Sequence, residues 1–284
     1  MKHSFLHRVL WLLIPLLTLF ITPSRGAEAV YKTAKFGSAA TPCENCNQYN
    51  SSTAWTSTYN GFSVSVLHGS NNNCSWANVR FGSKTITGSL TGTIVTGSID
   101  KKVSKVSISL TNNNNSKTTS IKLYTSTNGS SWTERGTFTK SSGTQSVSIA
   151  SANQAANLYY KVEIITTQGS DNGFVQISQI DYYVETFTMT YNANGGSGTL
   201  TDSNSPYFNG STVTVKSNSF TRTNYTFNHW DTKSDDSGTD YAAGNTFTIT
   251  ANTTLYAQWD LVASCTTNAT VSAGSLKGSF KWSH

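Results

Sequence analysis

The chain has 284 residues, enough for one or two domains, and only 12 % of them are charged while another 12 % are aromatic. Ser, Thr, Asn and Gly fill most polar positions, as is typical of exported β-rich proteins, and the aromatic content argues against disorder of the whole chain. Three of the 20 basic residues and none of the 14 acidic ones lie in the first 26 positions, so the rest of the chain has a net charge of +3. This small charge and the lack of a dense Lys/Arg cluster argue against a nucleic-acid partner.

Residues 1–29 have the pattern of a secretory signal peptide. A basic start containing Lys2 and Arg8 precedes an apolar stretch from residue 9 to residue 21, and small residues at 26, 27 and 29 offer cleavage positions. The apolar stretch is shorter than the ~20 residues that a membrane-spanning helix requires, so we expect cleavage rather than a retained anchor. No later stretch is apolar enough to span a membrane as a helix. We therefore expect an extracellular or cell-envelope protein without a membrane-spanning segment after cleavage.

Four cysteines follow, and outside the cytoplasm they are free to pair. Cys43 and Cys46 form a CxxC motif. A zinc site would need two more ligands with suitable spacing, and only Cys74 and His68 lie nearby in the sequence. A redox pair would open a helix in a βαβ unit, whereas this CxxC lies in a loop-like segment. We predict a structural disulfide that joins Cys74 to Cys43 or Cys46, no metal, and a Cys265 that is unpaired or joined outside its own module.

Short apolar runs with a period of two occupy the segment from residue 62 to residue 184. Side chains alternate across a strand, so each run supplies one buried face of a sheet, and Asn-, Ser- and Gly-rich turns separate the runs. This spacing predicts an antiparallel β-sandwich over residues 30–185. The runs are Phe62/Val64/Val66, Val106/Ile108/Leu110, Ile121/Leu123, Val147/Ile149, Val162/Ile164 and Ile180/Tyr182/Val184.

One hairpin of this region has a recognisable order. The segment KLYTSTNGSSWTERGTF, residues 122–138, runs from a strand through Asn128-Gly129 to Trp132, three positions after the glycine. It resembles the corresponding hairpin of galactose-binding-like jelly-roll modules. That resemblance covers one hairpin and implies a jelly-roll-like sandwich that binds a carbohydrate or a surface.

The next segment carries an ordered string of motifs between residues 187 and 259. They are TYNANGG (190–196), GSTVTV (210–215), TRTNYTFNHWDTK (221–233) and AGNTFTITANTTLYAQW (243–259). This string resembles the Listeria–Bacteroides repeat, the B-repeat module of internalin-type surface proteins. The resemblance implies a small β-grasp-like sheet at residues 186–260, an extracellular setting and no catalytic residues.

The aromatic residues of this module are predicted to form its core, because large side chains bury much area in a small domain. We assign Trp230 and Trp259 to the core, with Trp230 at the start of a loop. Two residues depart from the family pattern: His229 and Asn224 each stand where glycine is usual. Asn tolerates a left-handed backbone, so the change at Asn224 is mild.

No motif for catalysis is present in the sequence. No GxSxG surrounds a serine, and the carboxylates are scattered without the pairing that glycoside hydrolysis uses. The densest acidic group does not match the order of an EF-hand loop, so we predict a solvated loop there instead of a calcium site. That group is Asp231, Asp235, Asp236 and Asp240. We predict no cofactor and no catalytic residue.

The tail, residues 261–284, is too short to fold alone and resembles the first strand of a further secreted β-module that has been cut off. The chain as a whole predicts a secreted or cell-surface adhesion or interaction protein that binds a glycan or a protein and is not an enzyme. The alternative is a set of ancillary binding modules from a longer secreted hydrolase whose catalytic domain is absent. Trp55, Trp76 and Trp132 are the candidates for stacking on a sugar, with burial in the core as the alternative for each.

Overall fold

The computed structural model describes residues 26–36, 49, 53–59, 62–71 and 77–262. The cysteines, Trp76 and most of the predicted signal peptide lie outside the described residues. Within the described part, no helix is long and apolar enough to cross a bilayer. Short 3₁₀ turns occur at Asn115–Lys117 and Ser151–Asn153. The strands are β1 Ala27–Lys35, β2 Trp55–Tyr59, β3 Phe62–Leu67, β4 Val79–Phe81, β5 Ser89–Ile99, β6 Val103–Asn112, β7 Thr118–Ser126, β8 Thr133–Phe138, β9 Gly143–Ser148, β10 Leu158–Thr167, β11 Val175–Phe187, β12 Met189–Asn192, β13 Tyr207–Phe208, β14 Thr212–Thr214, β15 Tyr225–Asp231, β16 Asp240–Tyr241, β17 Thr246–Thr248 and β18 Thr253–Leu261.

Strands β1 to β11 form two antiparallel sheets that face each other. The first sheet has the order β1-β11-β6-β9, and β4 pairs with the start of β11 beyond the end of β1. The second sheet has the order β2-β3-β5-β10-β7-β8. The predicted all-β fold with an N-terminal antiparallel sandwich is confirmed.

A single core fills the space between the two sheets. Tyr160 on β10 and Tyr182 on β11 meet there with ring centroids 5.3 Å apart, and the Tyr182 hydroxyl lies 3.3 Å from Thr96 Oγ1 on the opposite sheet. Along β10 every second residue is buried, which is the period-two pattern expected of a half-buried strand. The predicted apolar runs face this core at Val64, Val66, Val106, Ile108, Leu110, Ile121, Leu123, Val147, Ile149, Val162, Ile164, Ile180, Tyr182 and Val184.

The strand β1 begins inside the segment that we predicted as signal peptide. Ala27 pairs with Thr186 and Glu28 with Glu185, so the strand uses three residues of the range 1–29. Of the cleavage positions considered, the one after Gly26 leaves this strand whole. We therefore propose Ala27 as the first residue of the mature protein.

The last strand of the sandwich leads directly into the repeat module. β11 ends at Phe187, and β13 from the repeat pairs with its final residues, opposite Thr186 and Phe187. The backbone N–H of Asn209 donates to the carbonyl of Glu185 at 2.8 Å. The two modules are thus joined by hydrogen-bonded strands.

The repeat module consists of a mixed four-stranded sheet and a separate two-stranded sheet. The sheet order is β12-β18-β15-β16, and β14 pairs with β17. The first strand, β12, runs parallel to the last, β18, and the other pairings are antiparallel. This parallel pairing of the first and last strands is the β-grasp-like feature, although no helix lies among the described residues of the module.

Trp230 is the centre of the repeat's core. It is fully buried, and its indole lies 4.9 Å from the ring of Tyr191 and 5.0 Å from that of Phe227. The prediction that Trp230 begins a loop is wrong, because it lies within β15 and pairs with Ala257. A register shift between Phe227 and Trp230 turns both rings toward the core, although an odd residue separation would place them on opposite faces of a regular strand.

Candidate functional site

A hydrogen-bonded turn between β7 and β8 places Trp132 at the edge of the second sheet. The side-chain oxygen of Asn128 accepts the backbone N–H groups of Ser130 and Ser131, each at 2.9 Å. The hydroxyl oxygen of Ser126 accepts the N–H of Gly129, also at 2.9 Å, and Gly129 has a φ of 72° that favours glycine. Because the turn satisfies its own polar groups, Trp132 emerges from it at a defined position with part of its indole exposed.

Two aromatic rings flank one ammonium on the outer face of this sheet. Lys161 on β10 lies directly opposite Tyr124 on β7, and its Nζ is 4.3 Å from the Tyr124 ring centroid. The same Nζ lies 5.3 Å from the centroid of Trp132. Such cation–π contacts hold the lysine chain and both rings in one arrangement.

Carboxylates complete this arrangement. Glu163 accepts the Tyr124 hydroxyl at 3.1 Å through one oxygen and the Lys161 ammonium at 2.9 Å through the other. Lys122 Nζ lies 2.9 Å from Glu134 Oε2. We name this surface the Trp132 face, defined by Lys122, Tyr124, Trp132, Glu134, Lys161 and Glu163. Burial, together with the hydrogen bond and the charge of Glu163, raises the pKa of Tyr124 from its ordinary value of 10.0 to about 12.

The structure places two of the three candidate tryptophans in different surroundings. Trp132 lies on the Trp132 face, but Trp55 is only 6 % exposed in the sandwich core, where its indole N–H donates to the carbonyl of Gly69 at 2.7 Å. A sugar cannot reach an indole that is packed between the sheets, so the structure favours the burial alternative for Trp55. Trp76 lies outside the described residues. Of the two candidates that the structure describes, Trp132 is the one that is partly exposed.

Sequence reasoning missed Tyr124, Lys161 and Glu163. Lys161 and Glu163 are the polar positions of the alternating run whose apolar members we assigned to the core. The same alternation places both residues on the outer face of the sheet, so the sequence pattern already indicated that Lys161 and Glu163 lie on one surface. Their proximity to Trp132 depends on strand order, which the run itself does not specify.

A second polar cluster lies in the repeat module. His229 Nε2 is 2.8 Å from Asp236 Oδ1 and 3.3 Å from Asp240 Oδ1, and Asp231 contributes a further ligand-type atom within 4.8 Å of the others. The prediction of a solvated loop is wrong for Asp231, which is fully buried. Its carboxylate accepts the backbone N–H groups of Lys233 and Gly238, so it closes the loop structurally.

An open cleft of about 480 Å³ lies beside this cluster. Its walls include Trp259, whose indole N–H donates to the carbonyl of Ala193, and Arg222, which stacks 3.9 Å from the Tyr225 ring centroid. The carboxylates of the cleft have partners within the module: Asp235 accepts Ser237 Oγ, Asp236 contacts His229, and Asp260 accepts Asn228 Nδ2. The three carboxylates of this cleft are therefore hydrogen-bonded to side chains of the same module.

Comparison with known proteins gives one family match and one structural similarity. A family model for the Listeria-Bacteroides repeat domain matches residues 187–258, about a quarter of the chain, and confirms the resemblance found in the sequence. Among solved structures, the family 32 carbohydrate-binding module from C. perfringens NanJ, in complex with galactose, is 15 % identical and aligns over 54 % of this chain and 99 % of its own, with a TM-score of 0.26. Neither is a catalytic domain. Curated proteins gave no match.

Proposed function

We propose that the protein is an exported, non-catalytic binding protein that takes a glycan on its Trp132 face. The observation that carries this proposal is the part-exposed indole of Trp132, fixed beside Tyr124 and above the paired charges of Lys161 and Glu163. An aromatic face covers the apolar C–H side of a sugar ring, while fixed polar groups exchange hydrogen bonds with its hydroxyls. Both elements lie on sheet strands and a closed turn, which favours a pre-organised site.

The repeat module is proposed to present this face at a cell surface. It acts as a spacer or makes contact with a protein receptor, and its hydrogen-bonded connection to β11 supports a fixed orientation of the sandwich. The presence of a Listeria-Bacteroides repeat supports an extracellular or cell-envelope location after removal of the signal peptide. The same face would serve an adhesion protein or the binding module of a longer secreted hydrolase.

A glycan array tests the proposal with the protein that begins at Ala27. We expect specific binding that Trp132→Ala weakens at least about tenfold, as is usual for a central aromatic contact. The matched control is Tyr183→Ala. Tyr183 lies on the other sheet, 4.0 Å from Lys105 Nζ, and that lysine pairs with Glu28 at 2.7 Å, so the control removes a similar aromatic–lysine–glutamate arrangement.

Circular dichroism of both variants establishes that they are folded. Absence of binding to any glycan overturns the proposal. Equal loss of binding in Trp132→Ala and Tyr183→Ala also overturns it, because the effect would then not be specific to the Trp132 face.

A further inference from the structure

The charges of the Trp132 face are balanced and paired. Lys161 Nζ lies 2.9 Å from Glu163 Oε2, and Lys122 Nζ lies 2.9 Å from Glu134 Oε2. The nearby guanidinium of Arg135 donates through Nε to Thr125 Oγ1 at 2.6 Å. Among the described residues of this face, both lysines therefore already have a carboxylate partner.

Lys161 is the cation closest to the aromatic rings, and it is enclosed. Its side chain is 13 % exposed and that of Glu163 is 16 % exposed. An acidic ligand that recruited this ammonium would draw it away from Glu163 and leave a largely buried carboxylate without its cation. Removal of one partner from such a pair is strongly unfavourable. The ligand's own negative charge would also approach Glu163 and Glu134.

We infer that the Trp132 face selects neutral sugars and discriminates against glycans that carry a carboxylate or a sulfate; this inference rests on the proposed glycan-binding function. A neutral sugar stacks on Trp132 and donates its hydroxyls to carboxylate oxygens, without disturbing either ion pair. Glu134 is the accessible acceptor, since its side chain is 43 % exposed. Electrostatic balance, in addition to ring stacking, is thus the selecting property of this face.

The test compares matched neutral and acidic sugars. Calorimetric titration would use trisaccharides of glucose, galactose and mannose, each beside the trisaccharide of the corresponding uronic acid. We expect at least one neutral trisaccharide to bind at least about tenfold more tightly than its uronic acid partner, with an affinity that changes little between low and high salt. An acidic trisaccharide that binds equally or more tightly than its neutral partner overturns the inference.

Two variants test the cause of the selection. Glu163→Gln keeps an acceptor for Tyr124 but frees the charge of Lys161, so it should narrow the preference for the neutral sugar several-fold. Glu134→Gln removes the carboxylate partner of the more exposed Lys122 and should also weaken the preference for the neutral sugar. It replaces the first variant in the test if Glu163→Gln does not fold. An unchanged preference in a folded variant overturns the electrostatic explanation. Failure of all trisaccharides and of the whole array to bind instead overturns the proposed function, so the two failures are distinguishable.

Discussion

The ring of Tyr31 meets the ring of Phe208 edge-on, with centroids 5.1 Å apart, and this contact connects the first strand of the sandwich to the repeat module. Phe208 lies on β13, which pairs with the end of β11. The Tyr31 hydroxyl also donates to Asp100, at 2.9 Å from the carboxylate. The modules therefore share an aromatic contact and a strand pairing, and we expect them to unfold as one cooperative unit.

The first prediction concerns this junction. Phe208→Ala should lower the free energy of unfolding by roughly 2 kcal/mol, less than the roughly 3–5 kcal/mol of a fully buried Phe, because Phe208 is only partly buried. Scanning calorimetry should show the single transition of the parent protein separating into two. Phe247→Ala is the control, since it removes a ring 5.1 Å from Tyr241 inside the repeat. A single unshifted transition in Phe208→Ala would show that the contact does not couple the modules.

The second prediction concerns alkaline pH. The folded pKa of Tyr124 is raised to about 12, first by burial and then by the bond to Glu163, above its ordinary value of 10.0. The folded state therefore keeps a proton that the unfolded state loses, so the contribution of Tyr124 to stability is complete below pH 10 and is lost as the pH rises toward 12. Tyr124→Phe should have a shallower loss of stability over this window in denaturant titrations. Parallel stability curves for the two proteins would contradict the assignment.

The third prediction concerns the buried carboxylate of the repeat. Asp231→Ala leaves the N–H groups of Lys233 and Gly238 without their acceptor and should cost roughly 2–4 kcal/mol. Asp231→Asn keeps one carbonyl acceptor and should cost less. Asp235→Ala, at an exposed position of the same loop, is the control and should stay within about 0.5 kcal/mol of the parent. Urea denaturation measures the free energy of unfolding of all three variants. Equal values for Asp231→Ala and the parent would show that Asp231 does not stabilise the loop.

The fourth prediction concerns the first residue of the folded protein. Glu28 pairs with Lys105 at 2.7 Å and accepts the hydroxyl of Ser104 at 2.8 Å, while the carbonyl of Ala27 accepts Thr186 Oγ1 at 3.1 Å. A protein that begins at Val30 loses these bonds and should be about 1–3 kcal/mol less stable than one that begins at Ala27. Thermal unfolding compares the two. Mass spectrometry of exported protein gives the natural start, and a start after Ala29 would contradict our proposal.

Part of the candidate site was predictable from local sequence. The segment from Asn128-Gly129 to Trp132 resembled a known hairpin, and Trp132 was a candidate for sugar stacking with burial as the alternative. The structure has a turn there, and a turn of this kind depends on neighbouring residues alone. The core positions of β10 followed from alternation for the same reason. Asn224, predicted to tolerate a left-handed backbone, has a φ of 65°. The repeat was identifiable because its motifs occur in a fixed order along the chain.

The order of residues by itself determined the all-β class, the faces of the strands and the repeat, because each follows from spacing over a few positions. Only the tertiary structure decided which residues from different strands lie together on one surface. Lys161 meets Tyr124 only because β10 pairs with β7. Trp55 is buried and Trp132 is partly exposed because the opposite sheet covers one side of the second sheet and not the other. Pairing of distant strands depends on the packing of the whole core, and that long-range choice created the charge-balanced Trp132 face.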